Sequence, residues 1–214
     1  MSVERATGIV LRTRPLTETS LIVHWITAEH GRIAVVAKGA VRPKSAFRGK
    51  LDLFFTADFT FQRSRRSNLH TLREIALQHT HPKLRQDYAR LRLATYGALL
   101  IEQISEEETP LPELFALLAE LLAALGRQPA ATELLLAFEL KTLATSGLGP
   151  DPSASRMSAE TRAAIDALLA TELVRAGNLG IPPATAKELR QFLHGFIIYH
   201  LGRIPRGRPG ENDL

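Results

Sequence analysis

The chain has 214 residues, of which 45% are hydrophobic and 23% charged, a composition typical of one large or two modest globular domains. It contains no cysteine, which excludes disulfides, thiolate metal sites and cysteine nucleophiles and makes a cytoplasmic protein the expectation. Residues 1–80 carry 13 Lys or Arg against 6 Asp or Glu, an excess of positive charge that favours nucleic acid as a partner. The sequence shows neither a signal-peptide pattern nor a long apolar run, so a membrane is not an expected partner.

Five strands with a period of two residues are predicted in the first 80 residues, at 5–12, 19–27, 32–38, 51–61 and 69–77. The fourth alternates most clearly, because one face takes Leu51, Leu53, Phe55, Ala57, Phe59 and Phe61. In the fifth, one face takes Leu69, Ile75 and Leu77. Five short strands suit a small closed barrel, which has no exposed sheet edges; an OB-fold is the economical choice, and an SH3-like barrel is an open alternative.

The period changes to 3.6 residues after Pro82, and helices are predicted at about 84–104, 112–125, 130–146, 159–176 and 184–202. Gly and Pro residues stand at the breaks between them. The third helix is apolar on nearly all sides, which places it at the centre of a bundle. The sequence therefore predicts an α+β protein with two domains, a five-stranded OB-fold barrel at 1–80 and an all-α helical domain at 81–214.

The stretch "VAKGAVRPKSAFRGKL", Val36 to Leu51, holds five cations and no acid. Three hypotheses compete for it: a nucleotide-binding loop, a disordered basic tether, or a nucleic-acid contact on a folded scaffold. A Walker loop has the pattern G-x-x-x-x-G-K-[ST], whereas Gly39 and Gly49 are ten residues apart and Leu51 follows Lys50. Because predicted strands flank the stretch, a loop mounted on the barrel is the hypothesis that survives.

Two further predicted loops carry the same sign of charge as this stretch. The candidate DNA-binding residues from the three loops are Arg12, Arg14, Lys38, Arg42, Lys44, Arg48, Lys50, Arg63, Arg65 and Arg66. OB-folds bind oligonucleotides through a barrel face and adjacent loops, so we expect these cations to share one DNA strand. A merely solvated basic face is the alternative. Phe47, the aromatic residue inside the basic loop, either stacks on a base or anchors the loop to the core.

The sequence shows no pattern typical of catalysis or of metal binding. His79 and His81 are two residues apart and His194 and His200 are six apart, whereas paired ligands on a helix need a spacing of four. Glu106 to Glu108 point in different directions and suit a solvated turn. We therefore expect no enzyme activity, no cofactor and no metal.

Several segments together resemble the RecO family of bacterial recombination mediators. In the N-terminal third these are the run from Arg14 through Glu18 to Leu21, the acid-x-G-R turn ending at Arg32, and the A-K-G loop that opens at Ala37. Further along, "AFELKTLATSGLGPD" and "LRQFLHGFIIYHLGR" resemble the central and terminal helices of that family. The resemblance covers nearly the whole chain and becomes specific through the order and spacing of its parts.

The resemblance implies an N-terminal OB-fold, a helical domain and a role in gap repair. Members of the family bind single- and double-stranded DNA and anneal complementary strands without ATP. With RecR, they load RecA onto strands coated by single-strand-binding protein. The basic DNA-contact region of the family matches Arg32, Lys38 and Arg42 here, with Lys44 and Arg48 in the same loop.

The chain departs from the family pattern at two places. Many relatives carry a four-cysteine zinc module after the central helix, but here the region near 150–160 is the cysteine-free "DPSASRMSAETR", so zinc is not expected. Relatives often place an arginine just before the F-E-L segment, linked to docking of the acidic tail of single-strand-binding protein. Leu136 and Ala137 stand there in this chain, which leaves Arg127 or Lys141 as other candidates.

Two alternatives stay open at the level of sequence. The chain could be an RNA-associated OB-fold protein, because basic loops do not distinguish ribose from deoxyribose. It could also be a protein-interaction scaffold without catalytic activity. The oligomeric state and the path of the DNA do not follow from the sequence.

Overall fold

A computed structural model describes residues 2–151, 157–210 and 213–214. The chain divides into two compact units, the first formed by Met1–His81 with Ser105–Ala116 and the second by Pro82–Ile104 with Leu117–Leu214. The inclusion of Ser105–Ala116 in the first unit is not indicated by any periodicity in the sequence, because this segment consists of the connection between two predicted helices and the start of the second one.

The first unit is a closed five-stranded barrel, in which the strands follow the order β1-β2-β3-β5-β4. The strands are β1 Val3–Pro15, β2 Leu21–Thr27, β3 Gly31–Ala37, β4 Thr56–Gln62 and β5 Leu69–His79. The long strand β1 pairs with β4 through its first half and with β2 through its second half, which closes the sheet on itself. Strands β3 and β5 pair in parallel and the other pairs are antiparallel. The predicted OB-fold is confirmed.

The barrel core follows the predicted alternation of β4, because Ala57, Phe59 and Phe61 are all buried. The Trp25 ring from β2 stacks on Phe59 with the ring centroids 4.4 Å apart. Full burial of side chains of this size contributes roughly 1.5–3 kcal/mol each to folding. The core therefore fixes which face of each strand points outward, and with it the positions of the exposed cations.

The predicted strand at 51–61 begins only at Thr56, so the prediction is wrong for its first five residues. The Asp52 carboxylate accepts a hydrogen bond from the Leu53 N–H at 2.8 Å, and the Phe55 N–H donates to the Asp52 carbonyl, which forms a turn. Phe54 takes a positive φ of 63° and is 1% exposed. A positive φ is uncommon for a bulky residue, and alternation cannot predict it.

The single face predicted for β5 is also wrong. The register against β4 shifts between Thr60 and Phe61, so that one residue of β5 is unpaired. Before this bulge, His70 and Leu72 are buried; after it, Ile75 and Leu77 pack against the core. A bulge reverses the alternation, which removes Leu69 from the face of Ile75.

The second unit is helical. It begins with a short 3-10 helix, Pro82–Arg85, and the helices are α1 Tyr88–Ile104, α2 Pro112–Arg127, α3 Thr132–Thr145, α4 Ala159–Ala170, α5 Leu173–Ala176 and α6 Pro183–Leu201. Helix α2 starts in the first unit and continues in the second. Residues 134–138 of α3 are 0% exposed, as expected for a central helix. The predicted helix 159–176 is interrupted, because Thr171 is extended with ψ 135°.

Candidate nucleic-acid interface

The basic loop between β3 and β4 is attached to the turn between β1 and β2. The Val41 N–H donates to the Thr19 carbonyl at 3.0 Å, and the Gly39 N–H donates to Ser20 Oγ at 3.2 Å. Gly39 has a φ of +67°, a left-handed conformation that glycine adopts without a steric penalty. The start of the loop therefore lies next to the β1–β2 turn.

The loop itself is folded by consecutive turns. The N–H groups of Arg42, Ser45, Arg48 and Lys50 each donate to the carbonyl three residues earlier, at 3.0–3.2 Å. These turns order the backbone of the loop, which argues against the hypothesis of a disordered basic tether. Lys38, Arg42, Lys44 and Arg48 are exposed and Lys50 is half-buried. Ordered, exposed cations can bind phosphates with less loss of conformational entropy than cations on a free chain.

Phe47 packs against the barrel core and is partly buried. Its N–H donates to Ser45 Oγ at 3.2 Å. The ring therefore anchors the middle of the basic loop to the barrel. The role in base stacking that the sequence suggested for Phe47 stays a prediction.

Arg14 lies at the same end of the barrel as Lys38, and Arg12 lies two residues earlier in β1, level with the middle of β3. Pro15, next to Arg14, pairs with Leu21, and Leu21 pairs in turn with Ala37, the residue before Lys38. Both arginines are exposed. The prediction that Arg12 and Arg14 lie in a loop is wrong, because β1 extends to Pro15. The end of β1 and the start of the basic loop meet at one end of the barrel, where Lys38 and Arg42 line a cleft of about 390 Å³ together with residues of the β1–β2 turn.

His24 lies on the outer side of β2, where nearby arginines create a positive potential. It pairs with Arg12 across the β1–β2 ladder and is 9% exposed. Burial lowers the pKa of His24 to about 4, and the charges of Arg12, Arg14 and Arg32 act in the same direction, opposed by Glu107. The imidazole is therefore neutral at pH 7. Sequence reasoning missed this residue, which is one of two polar positions in β2, the other being Thr27.

Arg32 is used within the first unit. Its Nη2 and Nε donate to the Ser105 carbonyl at 2.9 and 3.2 Å, and its own carbonyl accepts from the Glu108 N–H at 2.9 Å. The side chain is half-buried. These bonds hold the segment that starts at Ser105 against β3 and reduce the number of N–H groups that Arg32 can offer to a phosphate.

Arg63 is held by two carboxylates. Its Nε donates to Glu4 Oε1 at 3.0 Å and its Nη1 to Glu108 Oε2 at 2.6 Å. Nε2 of the buried His70 lies 3.3 Å from the other oxygen of Glu108, while His70 Nδ1 accepts from the Ser64 N–H. Arg63 is therefore neutralised by neighbours that the sequence places 59 and 45 residues away.

Arg65 and Arg66 are exposed, but the Arg63–Arg66 turn is at the other end of β1 from Arg14. Gln62, just before the turn, pairs with Val3 at the start of β1, whereas Pro15 ends that strand. A strand of 13 residues spans roughly 40 Å at about 3.3 Å per residue. A DNA strand that contacted all the predicted cations would have to follow the length of β1.

No metal site and no membrane span are found in the part of the chain that the structure describes. Within residues 2–151, 157–210 and 213–214, there is no group of three His, Cys, Asp or Glu residues that could hold a metal ion. In those ranges no helix is both long and apolar enough to cross a membrane. The cysteine-free segment near 150–160, where no zinc is expected, includes residues 152–156, which lie outside the described ranges.

The fold and its exposed cations define a class of protein, an OB-fold barrel with a folded basic loop and an additional helical unit. Two family models match the chain, "Recombination protein O N terminal" over residues 1–81 and "Recombination protein O C terminal" over residues 85–155. The chain belongs to the RecO family.

Curated relatives match over most of the chain. The "DNA repair protein RecO" of Anaeromyxobacter sp. (strain Fw109-5) is 29% identical, with 93% of this chain and 91% of that protein covered. The protein of the same name from Bacillus pumilus is 29% identical over 98% of this chain and 94% of its own length. The Bacillus subtilis protein is 33% identical over 67% of this chain and 56% of its own length.

Proposed function

We propose that this chain is a DNA-binding recombination mediator in gap repair. It binds single- and double-stranded DNA, anneals complementary strands without ATP, and works with RecR to load RecA onto strands coated by single-strand-binding protein. The observation that carries the proposal is the folded basic loop, Lys38 to Lys50, on an OB-fold barrel of a family named for recombination. Gap repair acts on chromosomal DNA, so the proposal places the protein in the cytoplasm.

Annealing requires no bond chemistry and therefore no catalytic residue. Duplex formation is downhill once two strands meet, but their phosphates repel each other before base pairing begins. The basic loop and the adjacent Arg12 and Arg14 lower this repulsion by neutralising phosphates of one strand. If about 4 to 6 of these cations contact phosphates, the logarithm of the binding constant for single strands falls against the logarithm of salt with a slope of roughly −3 to −4.

The acidic tail of single-strand-binding protein needs a cationic site in this proposal. Leu136 and Ala137 are 0% exposed, so this part of α3 offers no surface for docking. Lys141 Nζ donates to the Leu169 carbonyl at 2.6 Å and is occupied there, whereas Arg127 is exposed.

A pocket in the helical unit provides another candidate. It has a volume of about 400 Å³, and its lining includes Lys187 and Arg190 together with the apolar Ile181 and Pro183 and one acid, Glu133. The combination of two cations and apolar surface fits a short acidic peptide with apolar side chains. We propose this pocket as the docking site.

The proposal is tested by measuring the annealing of complementary single strands without ATP. Quenching of a fluorescent label when the duplex forms gives the annealing rate. We expect wild type to anneal bare strands and strands coated by single-strand-binding protein. The variant Lys38→Ala/Arg42→Ala/Lys44→Ala should anneal bare strands at least about tenfold more slowly, because three phosphate contacts are lost. The matched control Lys83→Ala/Arg127→Ala/Arg175→Ala removes the same charge from exposed positions of the helical unit and should anneal bare strands normally.

Three outcomes would contradict the proposal or one of its parts. If the wild-type protein does not anneal complementary strands, the proposed annealing activity is wrong. Equal loss in the loop variant and the control means that net charge matters and the basic loop does not. Tighter binding of matched single-stranded RNA than of DNA would support an RNA-associated protein instead.

A further inference from the structure

Helix α6 exposes a row of aromatic rings, formed by Phe192, Phe196, Tyr199 and His200, which we call the α6 aromatic stripe. The ring centroids of Phe192 and Phe196 are 5.4 Å apart, those of Phe196 and His200 4.3 Å, and those of Tyr199 and His200 4.9 Å. At about 100° per residue, Phe192, Phe196 and Tyr199 fall within about 60° of one another around the helix. The rings therefore form one continuous surface.

This stripe is not part of the core of the helical unit. The buried face of α6 takes Leu189, Leu193 and Ile197, all 0% exposed. Tyr199 is 84% exposed, His200 is exposed, and the two Phe residues are half-buried. A Tyr side chain this exposed contributes little to folding, and contiguous exposed aromatic surface marks a binding site.

The sequence of α6 around the stripe and the segment that follows it are basic. From Leu189 to Gly210 the sequence contains four arginines, two histidines and no acid. Arg203 and Arg206, which follow His200, are exposed, whereas Arg208 is bound to Glu139. Glu188, one turn before Phe192, accepts hydrogen bonds from Ser158 and Thr161. Flat rings followed in the chain by exposed arginines are complementary to a polyanion that carries flat bases.

We propose that the α6 aromatic stripe is a second contact surface for single-stranded DNA, on which bases stack on Tyr199 and His200 while Arg203 and Arg206 bind phosphates. Base stacking on aromatic side chains tolerates any sequence, because every base has a π-face. The inference rests on the proposed function, since annealing brings together two strands and the basic loop of the barrel accounts for one.

The test measures binding of a labelled single strand to full-length protein by anisotropy across a salt series. Tyr199→Ala should weaken binding about fivefold without changing the salt slope, because a lost ring releases no counterion. Tyr199→Phe keeps the ring and should bind like wild type. Tyr88→Ala, which removes a Tyr that is 76% exposed on α1, is the matched control and should have no effect.

Failure of the inference differs from failure of the proposed function. If Tyr199→Ala binds like wild type while the Lys38, Arg42 and Lys44 variant has a shallower salt slope, the inference is wrong and the barrel interface stands. If only Tyr199→Ala weakens binding, the assignment to the barrel loop is wrong. A drop in sedimentation coefficient for Tyr199→Ala at unchanged DNA affinity would make the stripe a self-association surface and overturn the inference.

A second measurement uses wild type alone, so it does not depend on folding of a variant. Single strands that contain 5-iodouracil are crosslinked by light to aromatic residues in contact with the base. Peptides that contain Tyr199 or His200 should be among the crosslinked ones. Crosslinks confined to the barrel unit would contradict a second surface on α6.

Discussion

Arg208 binds Glu139 inside the helical unit through two charge-assisted hydrogen bonds, from Nε to Oε1 at 2.7 Å and from Nη2 to Oε2 at 2.6 Å. Glu139 is 0% exposed on the central helix α3, and the Tyr96 hydroxyl also donates to its Oε1. Burial raises the pKa of Tyr96, and the charge of Glu139 raises it further, so the tyrosine stays protonated. The ion pair therefore attaches the segment that follows α6 to the centre of the bundle.

We predict that Arg208→Ala destabilises the helical unit by about 3–5 kcal/mol, because it leaves the Glu139 charge buried without its partner. Urea denaturation followed by far-UV circular dichroism measures the change in free energy of unfolding. The control Arg206→Ala alters an exposed arginine two residues earlier and should lie within about 0.5 kcal/mol of wild type. A loss below about 1 kcal/mol for Arg208→Ala would contradict the structural role of the pair.

Substitution by alanine is predicted to destabilise the first unit more at Gly31 than at Gly39. Both have a positive φ, +65° and +67°, but a Cβ on Gly31 would lie 1.8 Å from the Thr109 carbonyl oxygen, whereas on Gly39 its nearest neighbour is Arg42 Cδ at 3.4 Å. Gly39→Ala should therefore cost only the backbone strain of about 1–2 kcal/mol. Gly31→Ala should cost at least about 3 kcal/mol, since the clash adds to the same strain.

Fluorescence of Trp25, the one tryptophan of the chain and 0% exposed in the barrel core, reports unfolding of the first unit for both variants. Equal losses of stability in the two variants would show that the segment at Thr109 yields to the new methyl group.

The lowered pKa of Glu4 lets us predict how the stability of the barrel changes at acidic pH. Burial acts to raise the pKa of Glu4, but hydrogen bonds from Arg63 and Ser2 and the charge of Arg63 outweigh it and hold the pKa below its ordinary value of 4.5. A carboxyl with a lowered pKa stabilises the folded state above its unfolded pKa, and this contribution is lost as the pH falls through the folded pKa.

The difference in free energy of unfolding between wild type and Glu4→Gln should therefore be constant above about pH 5.5 and shrink at lower pH. Denaturation followed by Trp25 fluorescence at a series of pH values measures it. A difference that persists unchanged below pH 4 would mean that the Glu4 charge is not what Arg63 requires.

Phe47 gives a prediction that separates packing from base stacking. Because the ring packs against the barrel core, Phe47→Ala should destabilise the first unit by about 1–3 kcal/mol. Phe47→Leu keeps apolar volume but removes the aromatic face, so it should retain most of the stability. If Phe47→Leu folds normally and yet binds single strands about fivefold more weakly, the ring stacks on a base in addition to anchoring the loop.

The sequence predicted the features that depend on local pattern. Alternation identified Ala57, Phe59 and Phe61 as the core face of β4, and the change of period located the helices. The left-handed Phe54 and the bulge in β5 were not predicted, because neither changes composition and each depends on packing inside the closed barrel.

The candidate site was predictable as a charge pattern but not as a geometry. The ladder from Pro15 through Leu21 to Ala37 is what places Arg14 at the same end of the barrel as Lys38, with β2 between their strands. The register of a strand cannot be derived from sequence alone. Arg63 looked like its neighbours Arg65 and Arg66, yet it is bound by Glu4 and Glu108, which only the folded chain brings together. Local charge counts do not reveal such pairing between distant residues.

The most direct test of the central proposal, that the folded basic loop binds single-stranded DNA through its cations, is the salt dependence of binding in wild type and in Lys38→Ala/Arg42→Ala/Lys44→Ala. We predict a slope of roughly −3 to −4 for wild type that becomes shallower by about 2 in the variant, since each lost phosphate contact removes about 0.7. Circular dichroism should show the same fold for both proteins. A slope that is the same in the variant as in wild type, with the fold intact, would contradict the proposal.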